Sequence, residues 1–142
     1  MRHRFYLDSN ILIYAIEKYP GLDAILKRLQ SDIEAEKVDV FTSELTLSEV
    51  LVKPIAEKDA PRIAVYQNRL RSAGCFQVIP VSRKILIEAA SIRSANKLKL
   101  PDAIHFATAG LNRCTHFVTN DTHFRDGYGM KILSPLQLQE LQ

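Results

Sequence analysis

The sequence event that most restricts the fold lies in residues 5–14, Phe-Tyr-Leu-Asp-Ser-Asn-Ile-Leu-Ile-Tyr. An apolar, aromatic-rich run of the kind a buried strand uses stops abruptly at Asp8-Ser9-Asn10, residues suited to a turn or a helix N-cap. Apolar residues resume at Ile11, Leu12, Tyr14, Ala15 and Ile16, as a mostly buried helix requires. The stretch reads as strand, tight turn, helix, with Asp8 at the carboxyl end of the strand. The same event recurs late in the chain, where His116-Phe117-Val118-Thr119 is cut off by Asn120-Asp121.

The intervening chain keeps the alternation. After a turn at Tyr19-Pro20-Gly21, Leu22, Ile25, Leu26, Leu29 and Ile33 recur at helical spacing. Residues 37–42 alternate briefly, as a second strand does. Ser43 or Thr46 can cap a helix that runs to Pro54, where proline ends or kinks it. Asp59-Ala60-Pro61 starts a further helix with Ile63, Val65, Tyr66 and Leu70 on its apolar side, an addition that can form an arm. Residues 76–81 form a third strand, and Ser82 caps a long helix striped by Ile85, Leu86, Ala89 and Ile92. Pro101-Asp102 opens the helix 103–111, residues 130–133 form a last strand, and Ser134-Pro135 opens a short terminal helix. Strands alternating with helices predict an α/β fold, a three-layer α/β/α arrangement with a central parallel sheet. The whole chain, 1–142, fits one domain.

Composition excludes several classes. With 46% hydrophobic and 25% charged residues, the chain carries no sign of disorder. Its two cysteines, Cys75 and Cys114, both in apolar surroundings, read as buried reduced thiols rather than a disulfide framework. No Cys/His spacing resembles a zinc site. No run approaches the roughly 20 apolar residues of a membrane span. The N-terminal apolar run is interrupted by Asp8 and Asn10 and has no cleavage site, so the expected location is the cytoplasm. A net charge of +3 and a pI near 8.9 are compatible with a polyanionic partner.

Four acids occupy one kind of position. Asp8 and Asp121 end strands, Glu49 lies in the first half of the helix after the second strand, and Asp102 lies in the first turn of its helix. In a parallel sheet, strand carboxyl ends and the starts of following helices share one rim. Each acid also has a local explanation. Asp8 can cap a helix, Thr46-x-x-Glu49 fits a capping box, Asp102 suits a helix dipole and Asp121 suits an Asx-turn. Those explanations leave out the apolar neighbours of every acid. Acids packed together in an apolar rim repel one another and resist desolvation, and a divalent cation removes that difficulty. Oxygen-only ligands favour Mg²⁺ or Mn²⁺.

The segments that carry these acids resemble the PIN-domain family of metal-dependent ribonucleases, and within it the VapC-like toxins of prokaryotic toxin–antitoxin pairs. The resemblance rests on Tyr-Leu-Asp-Ser-Asn-Ile-Leu-Ile-Tyr at 6–14, Ser-Glu-Val-Leu at 48–51 with Pro54 after it, Leu-Pro-Asp-Ala-Ile-His-Phe-Ala-Thr-Ala at 100–109 and Val-Thr-Asn-Asp-Thr-His-Phe at 118–124. It covers nearly the whole chain. It implies Asp8, Glu49, Asp102 and Asp121 as metal-binding catalytic acids, with Ser9 and Thr119 as small hydroxyl residues beside them. Glu44 competes with Glu49 for its place, and Asp126 is a candidate supporting acid. It further implies Mg²⁺ or Mn²⁺ as cofactor, RNA as substrate, products with 5′-phosphate and 3′-hydroxyl ends, a homodimer and a cognate antitoxin. The apolar residues of 22–33 and 59–70 exceed what one sheet face needs and lend the dimer some support.

Lys53, Arg83, Lys84, Arg93, Lys97, Lys99 and Arg125 are candidate RNA contacts. His105, one turn after Asp102, is expected to pack or to hydrogen-bond a site carboxylate, and His123 to be exposed in a loop. Phe106, Phe117 and Phe124 read as core. Two rival readings remain. Another Mg²⁺-dependent phosphate enzyme of the haloacid-dehalogenase type wants an Asp two residues after Asp8, and Asn10 stands there. A non-catalytic PIN-like module that binds RNA or protein usually lacks some of the acids, and none is missing here.

Overall fold

The computed structural model describes residues 2–141. Along the chain it places β1 (His3–Leu7), α1 (Ser9–Ile16), α2 (Asp23–Glu34), β2 (Val38–Ser43), α3 (Leu45–Val50), α4 (Val52–Ala56), α5 (Ala60–Arg69), β3 (Phe76–Ile79), α6 (Arg83–Ala95), α7 (Leu100–Leu111), β4 (His116–Val118), β5 (Lys131–Leu133) and α8 (Pro135–Leu141). The strands pair in parallel in the order β3-β2-β1-β4-β5. Successive strand residues point to opposite faces, so each strand feeds two cores. Phe5, Leu7, Val38, Val40 and Val118 pack with Ile11, Leu26, Leu29 and Tyr66 on one side. Tyr6, Phe41 and Phe117 pack with Ile85, Ala89, Ala103 and Phe106 on the other. The expected three-layer α/β/α arrangement is therefore present. Phe106, Phe117 and Phe124 form an aromatic cluster in the second core, as expected of them.

The strand order creates the position of interest. The chain steps from β1 to β2 to β3 in one direction, then returns to the far side of β1 for β4 and β5. The connections that leave the neighbours β1 and β4 thus diverge, and a crevice opens at their carboxyl ends, where ligands bind in open α/β sheets.

Several local expectations are met and several are corrected. Asp59 accepts the Arg62 N–H at 3.1 Å and Ser82 accepts the Ile85 N–H at 3.2 Å, both as caps. The helix expected to reach Pro54 breaks at Leu51 instead. Proline has no N–H for the carbonyl of Val50 and its ring crowds that group, so the break falls earlier and Pro54 sits in the first turn of α4. Ser43 Oγ accepts the Leu45 N–H at 3.0 Å. Thr46, the other expected cap, is buried within α3, where its hydroxyl pairs with that of Thr42 at 2.8 Å. The capping box with Glu49 does not form. Helix α5 is no arm, because Tyr66 is fully buried and Leu70 joins the core. Cys114 is buried, which pushes its thiol up to about 12. Cys75 is only half-buried, because its thiol sits beside the exposed Arg2, 3.4 Å from a guanidinium nitrogen.

Candidate functional site

Asp8 follows β1 directly and reaches the crevice with little freedom left. Its backbone N–H donates to Val118 on β4 at 3.0 Å. One carboxylate oxygen accepts the Ser9 N–H at 2.9 Å, capping α1. The other accepts the Thr119 hydroxyl at 2.7 Å. The same hydroxyl oxygen of Thr119 accepts the Asp121 N–H at 3.0 Å. Thr119, just after β4, thereby ties together the acids of the two strands that flank the crevice. Ser9 contributes its backbone to this arrangement.

Asp121 forms the Asx-turn that its sequence context allows, accepting the His123 N–H at 2.8 Å, and the His123 ring adds a contact at 2.6 Å. Partial burial raises the Asp121 carboxyl, but these two His123 bonds, then the charges of His123 and Lys99, outweigh it and leave it below the ordinary range. His123 is exposed, as expected. Its side chain stands at the mouth of the site on Asp121.

Asp102, in the first turn of α7, accepts no hydrogen bond from the described residues, although it is half-buried. Burial raises its carboxyl first, and the negative charges of Asp8 and then Asp121 raise it further. His105 lowers it and Glu49 adds to the rise. That pattern brings acids from three other segments within electrostatic reach of one carboxyl. Glu44 is exposed and does not figure among those charges, whereas Glu49 does. Asp8, Glu49 and Asp121 thus act on Asp102 across the rim. Asp126 is engaged elsewhere, accepting the Ile132 N–H at 3.1 Å and holding its loop against β5.

Glu49 is held by a residue of another helix. His105 is fully buried, and its Nε2 lies 2.5 Å from a Glu49 oxygen. Its Nδ1 lies 2.6 Å from the Tyr6 hydroxyl. The expectation that His105 bonds a site carboxylate is met. Tyr6 was legible only as a strand residue. Its place beside His105 depends on which helix covers which face of the sheet, and no local spacing signals that.

As they stand, no three His, Cys, Asp or Glu side chains among the described residues form a closed set around one point. Each acid except Asp102 is turned toward a protein donor: Asp8 to Thr119, Glu49 to His105, Asp121 to His123. The donor chemistry still fits a hard divalent cation. The ligands would all be carboxylate oxygens, and a cation would offset the repulsion that Asp8, Asp121 and Glu49 exert on Asp102. A cavity of about 970 Å³ lies between α2 and the connection from α5 to β3 and is lined by none of the four acids. A shallower hollow of about 210 Å³ adjoins Thr119 and Asp121. Size points to the first and chemistry to the second, and chemistry decides, because Asp121 and Asp102, whose carboxyls are shifted by neighbouring charges, belong to the rim.

Of the basic residues, Lys99 stands closest in effect, acting on Asp121 from the N-terminal end of α7. Lys53 acts on Glu17, away from the crevice. Arg93 and Arg125 are engaged with loop carbonyls, Arg93 with Leu98 and Arg125 with Thr122 and Phe124.

Comparison with solved structures shows the same architecture in other chains. A toxin–antitoxin complex from Klebsiella pneumoniae is 27% identical, with 92% of this chain and 96% of that chain aligned and a TM-score of 0.65. VapBC2 from Rickettsia felis, bound to a promoter DNA fragment, is 18% identical over 92% and 98% of the two chains, with a TM-score of 0.71. VapC20 of Mycobacterium tuberculosis, a toxin that cleaves the sarcin–ricin loop, is 17% identical over 87% and 92%, with a TM-score of 0.60. No curated protein matches by sequence. The family model described as the PIN domain matches residues 5–129, a span that includes all four acids, β4 and the last three residues of β1. With the fold, the crevice and that match in agreement, the chain belongs to the PIN-domain family.

Proposed function

We propose that the chain is a metal-dependent endoribonuclease that hydrolyses RNA phosphodiester bonds, acting as one nuclease domain and as the toxin of a toxin–antitoxin pair. The observation that carries this reading is Asp102, a half-buried carboxyl raised by burial and by Asp8, Asp121 and Glu49 with no hydrogen bond from the described residues. A purely structural acid in that setting gains a donor, as Glu17 does from Arg62 and Tyr66. Asp8, Glu49, Asp102 and Asp121 would hold Mg²⁺ or Mn²⁺. When bound, such an ion lowers the pKa of a water and offsets charge on a phosphate. The chain's own contribution is placement. Thr119 holds Asp8 and the Asp121 backbone in one frame, and His105 holds Glu49. Lys99 supplies positive charge at the rim where an RNA phosphate would approach.

The antitoxin partner is supported by the neighbours, which are toxin–antitoxin complexes. For the homodimer, support moves within the molecule. The apolar stripe of α2 is consumed by the core, where Ile25, Leu26 and Leu29 are buried. Among the large apolar side chains left exposed, Val52 and Ile55 on α4 and Val65 on the adjoining α5 are the ones we assign to self-contact. Light scattering at micromolar concentration tests this, and a monomer overturns it. A cytoplasmic location fits the absence of any helix long and apolar enough to cross a membrane among the described residues. The central test is cleavage of a defined RNA with Mg²⁺ or Mn²⁺ and with chelator. Undiminished cleavage in chelator, with contaminating nucleases excluded, overturns the metal-dependent reading.

A further inference from the structure

Glu49 is the least securely anchored of the four acids. Asp8 and Asp121 adjoin strands, and Asp102 begins a twelve-residue helix, but Glu49 rides on the six-residue α3 next to the break at Leu51. A glutamate also has more rotatable bonds than an aspartate, so more freedom is lost when it is held in one place. What restrains it comes from outside its own element. His105 is fully buried and both ring nitrogens are engaged, Nε2 with Glu49 at 2.5 Å and Nδ1 with Tyr6 at 2.6 Å.

The direction of this chain follows from what each group can do. A carboxylate only accepts, so His105 Nε2–H donates to Glu49. In the tautomer with its proton on Nε2, Nδ1 is an acceptor and the Tyr6 O–H donates to it. Tyr6 is itself immobile. It is fully buried, its ring stacks on Phe117 at 5.1 Å, and it meets the His105 ring edge-on at 5.8 Å. Both supports also carry acids of their own, since Tyr6 lies two residues before Asp8 and His105 three after Asp102. Strand β1 and helix α7 thus place one acid each directly and share the placement of a third. One Glu49 oxygen is engaged by His105, and the side chain is 30% exposed, which leaves the second oxygen for a cation.

We infer that His105, oriented by Tyr6, is a positioning residue that holds Glu49 in its ligating place and so sets the divalent-cation affinity of the site. The inference rests on the reading of the four acids as a cation site. Hydrogen-bond partners that orient a metal ligand typically change affinity by about 10–100-fold when removed.

The experiment measures Mn²⁺ binding by water-proton relaxation enhancement, which reads weak as well as tight binding, together with melting temperature. His105→Phe should weaken Mn²⁺ by about 10–100-fold. His105→Gln, whose amide can donate to Glu49, should recover most of that loss. Tyr6→Phe, which keeps the core filled and removes only the hydroxyl, should weaken Mn²⁺ by a smaller factor in the same direction. In a Glu49→Gln background, His105→Gln and Tyr6→Phe should leave the residual Mn²⁺ affinity unchanged while still altering the melting temperature. If His105→Phe does not fold, Tyr6→Phe and its behaviour in the Glu49→Gln background decide the matter. Variants that melt earlier but bind Mn²⁺ like the parent, or that lose equal affinity with and without Glu49, overturn the inference and make His105 a packing residue. A parent protein that binds no Mn²⁺ overturns the cation site itself, and the inference with it.

Discussion

Glu17 closes α1 at its C-terminal end, and Asp102 stands in the first turn of α7. The helix dipole favours an acid at the second place and disfavours one at the first, each by about 0.3–1 kcal/mol. The carboxyls behave in the opposite order. Partial burial pushes Glu17 up, but the hydrogen bonds from Tyr66 and Arg62, followed by the Arg62 charge, hold it below its ordinary range. Asp102 is raised, first by burial and then by Asp8 and Asp121. Named partners overrule the dipole in both cases. Glu17 belongs to a closed cluster in which Arg62 bridges it at 2.7 Å and Glu57 at 3.1 Å, pinning α5 to α1. Asp102 belongs to an open one, in which Asp8, Asp121 and Glu49 raise its carboxyl and no described residue donates a hydrogen bond to it. A difference in partners, on one residue class in one fold, separates an acid that holds elements together from the acid that the proposed function assigns to a cation.

The largest expected effect breaks the comparison on the functional side. Asp8→Asn should lower RNA cleavage by about 100-fold or more, because several kcal/mol of transition-state stabilisation depend on the bound ion. The fold should persist, since asparagine caps a helix as well as aspartate does. Glu17→Gln should cleave at the parental rate below its melting temperature. A gel-based cleavage assay on both variants checks this, and equal losses would erase the distinction.

On the stability side the roles reverse. Glu17→Gln should destabilise the protein by about 1–2 kcal/mol, the scale of hydrogen bonds to a charged group. Circular-dichroism melting in chelator should show a fall of about 3–8 °C. A smaller fall means that the Arg62 pair is a surface pair of little worth.

Asp102→Asn should behave differently in the same assay. With chelator its melting temperature should equal or exceed that of the parent, because relief of repulsion offsets the lost dipole interaction. Millimolar Mg²⁺ should then stabilise it less than it stabilises the parent, since a ligand stabilises in proportion to its binding to the native state. A lower melting temperature in chelator with an intact Mg²⁺ response would make Asp102 a helix-terminal charge and nothing more.

The smallest effect is the pH dependence, and its sign differs between the two acids. Asp102 is raised in the folded state, so its contribution is fully present below the ordinary aspartate pKa and is lost as pH rises through the raised value. Any advantage of Asp102→Asn in chelator should therefore exist at neutral pH and vanish on acidification through that value. Glu17 is lowered, so its contribution is present above the ordinary glutamate pKa and is lost as pH falls through the lowered value. The deficit of Glu17→Gln should therefore be full at neutral pH and shrink on acidification through the lowered value. Melting curves for both variants from pH 7 downward, in chelator, check both signs.

What could be read before folding was local. Apolar runs of period two and near four marked the strands and helices, Asp59 and Ser82 announced their caps, and Asp8, Glu49, Asp102 and Asp121 stood out by motif. Errors arose where two local signals competed. Pro54 and the helical period of α3 and α4 pulled against each other, and the break settled at Leu51. Thr46 had the spacing of a cap, but the burial of its hydroxyl against Thr42 took it inside. The stripe of α2 showed that one face was apolar without showing what would cover it.

The tertiary structure decided everything that joins distant parts of the chain. Strand order put β4 beside β1 and so made a crevice between Asp8 and Asp121, with Thr119 bonded to Asp8 across 111 residues. The Tyr6–His105 and His105–Glu49 bonds span 99 and 56 residues. Spacing along a chain encodes the periodicity of one element. Which faces meet is set by how several elements bury their apolar sides together, and that choice alone gave Asp102 three acidic neighbours and Glu17 an arginine.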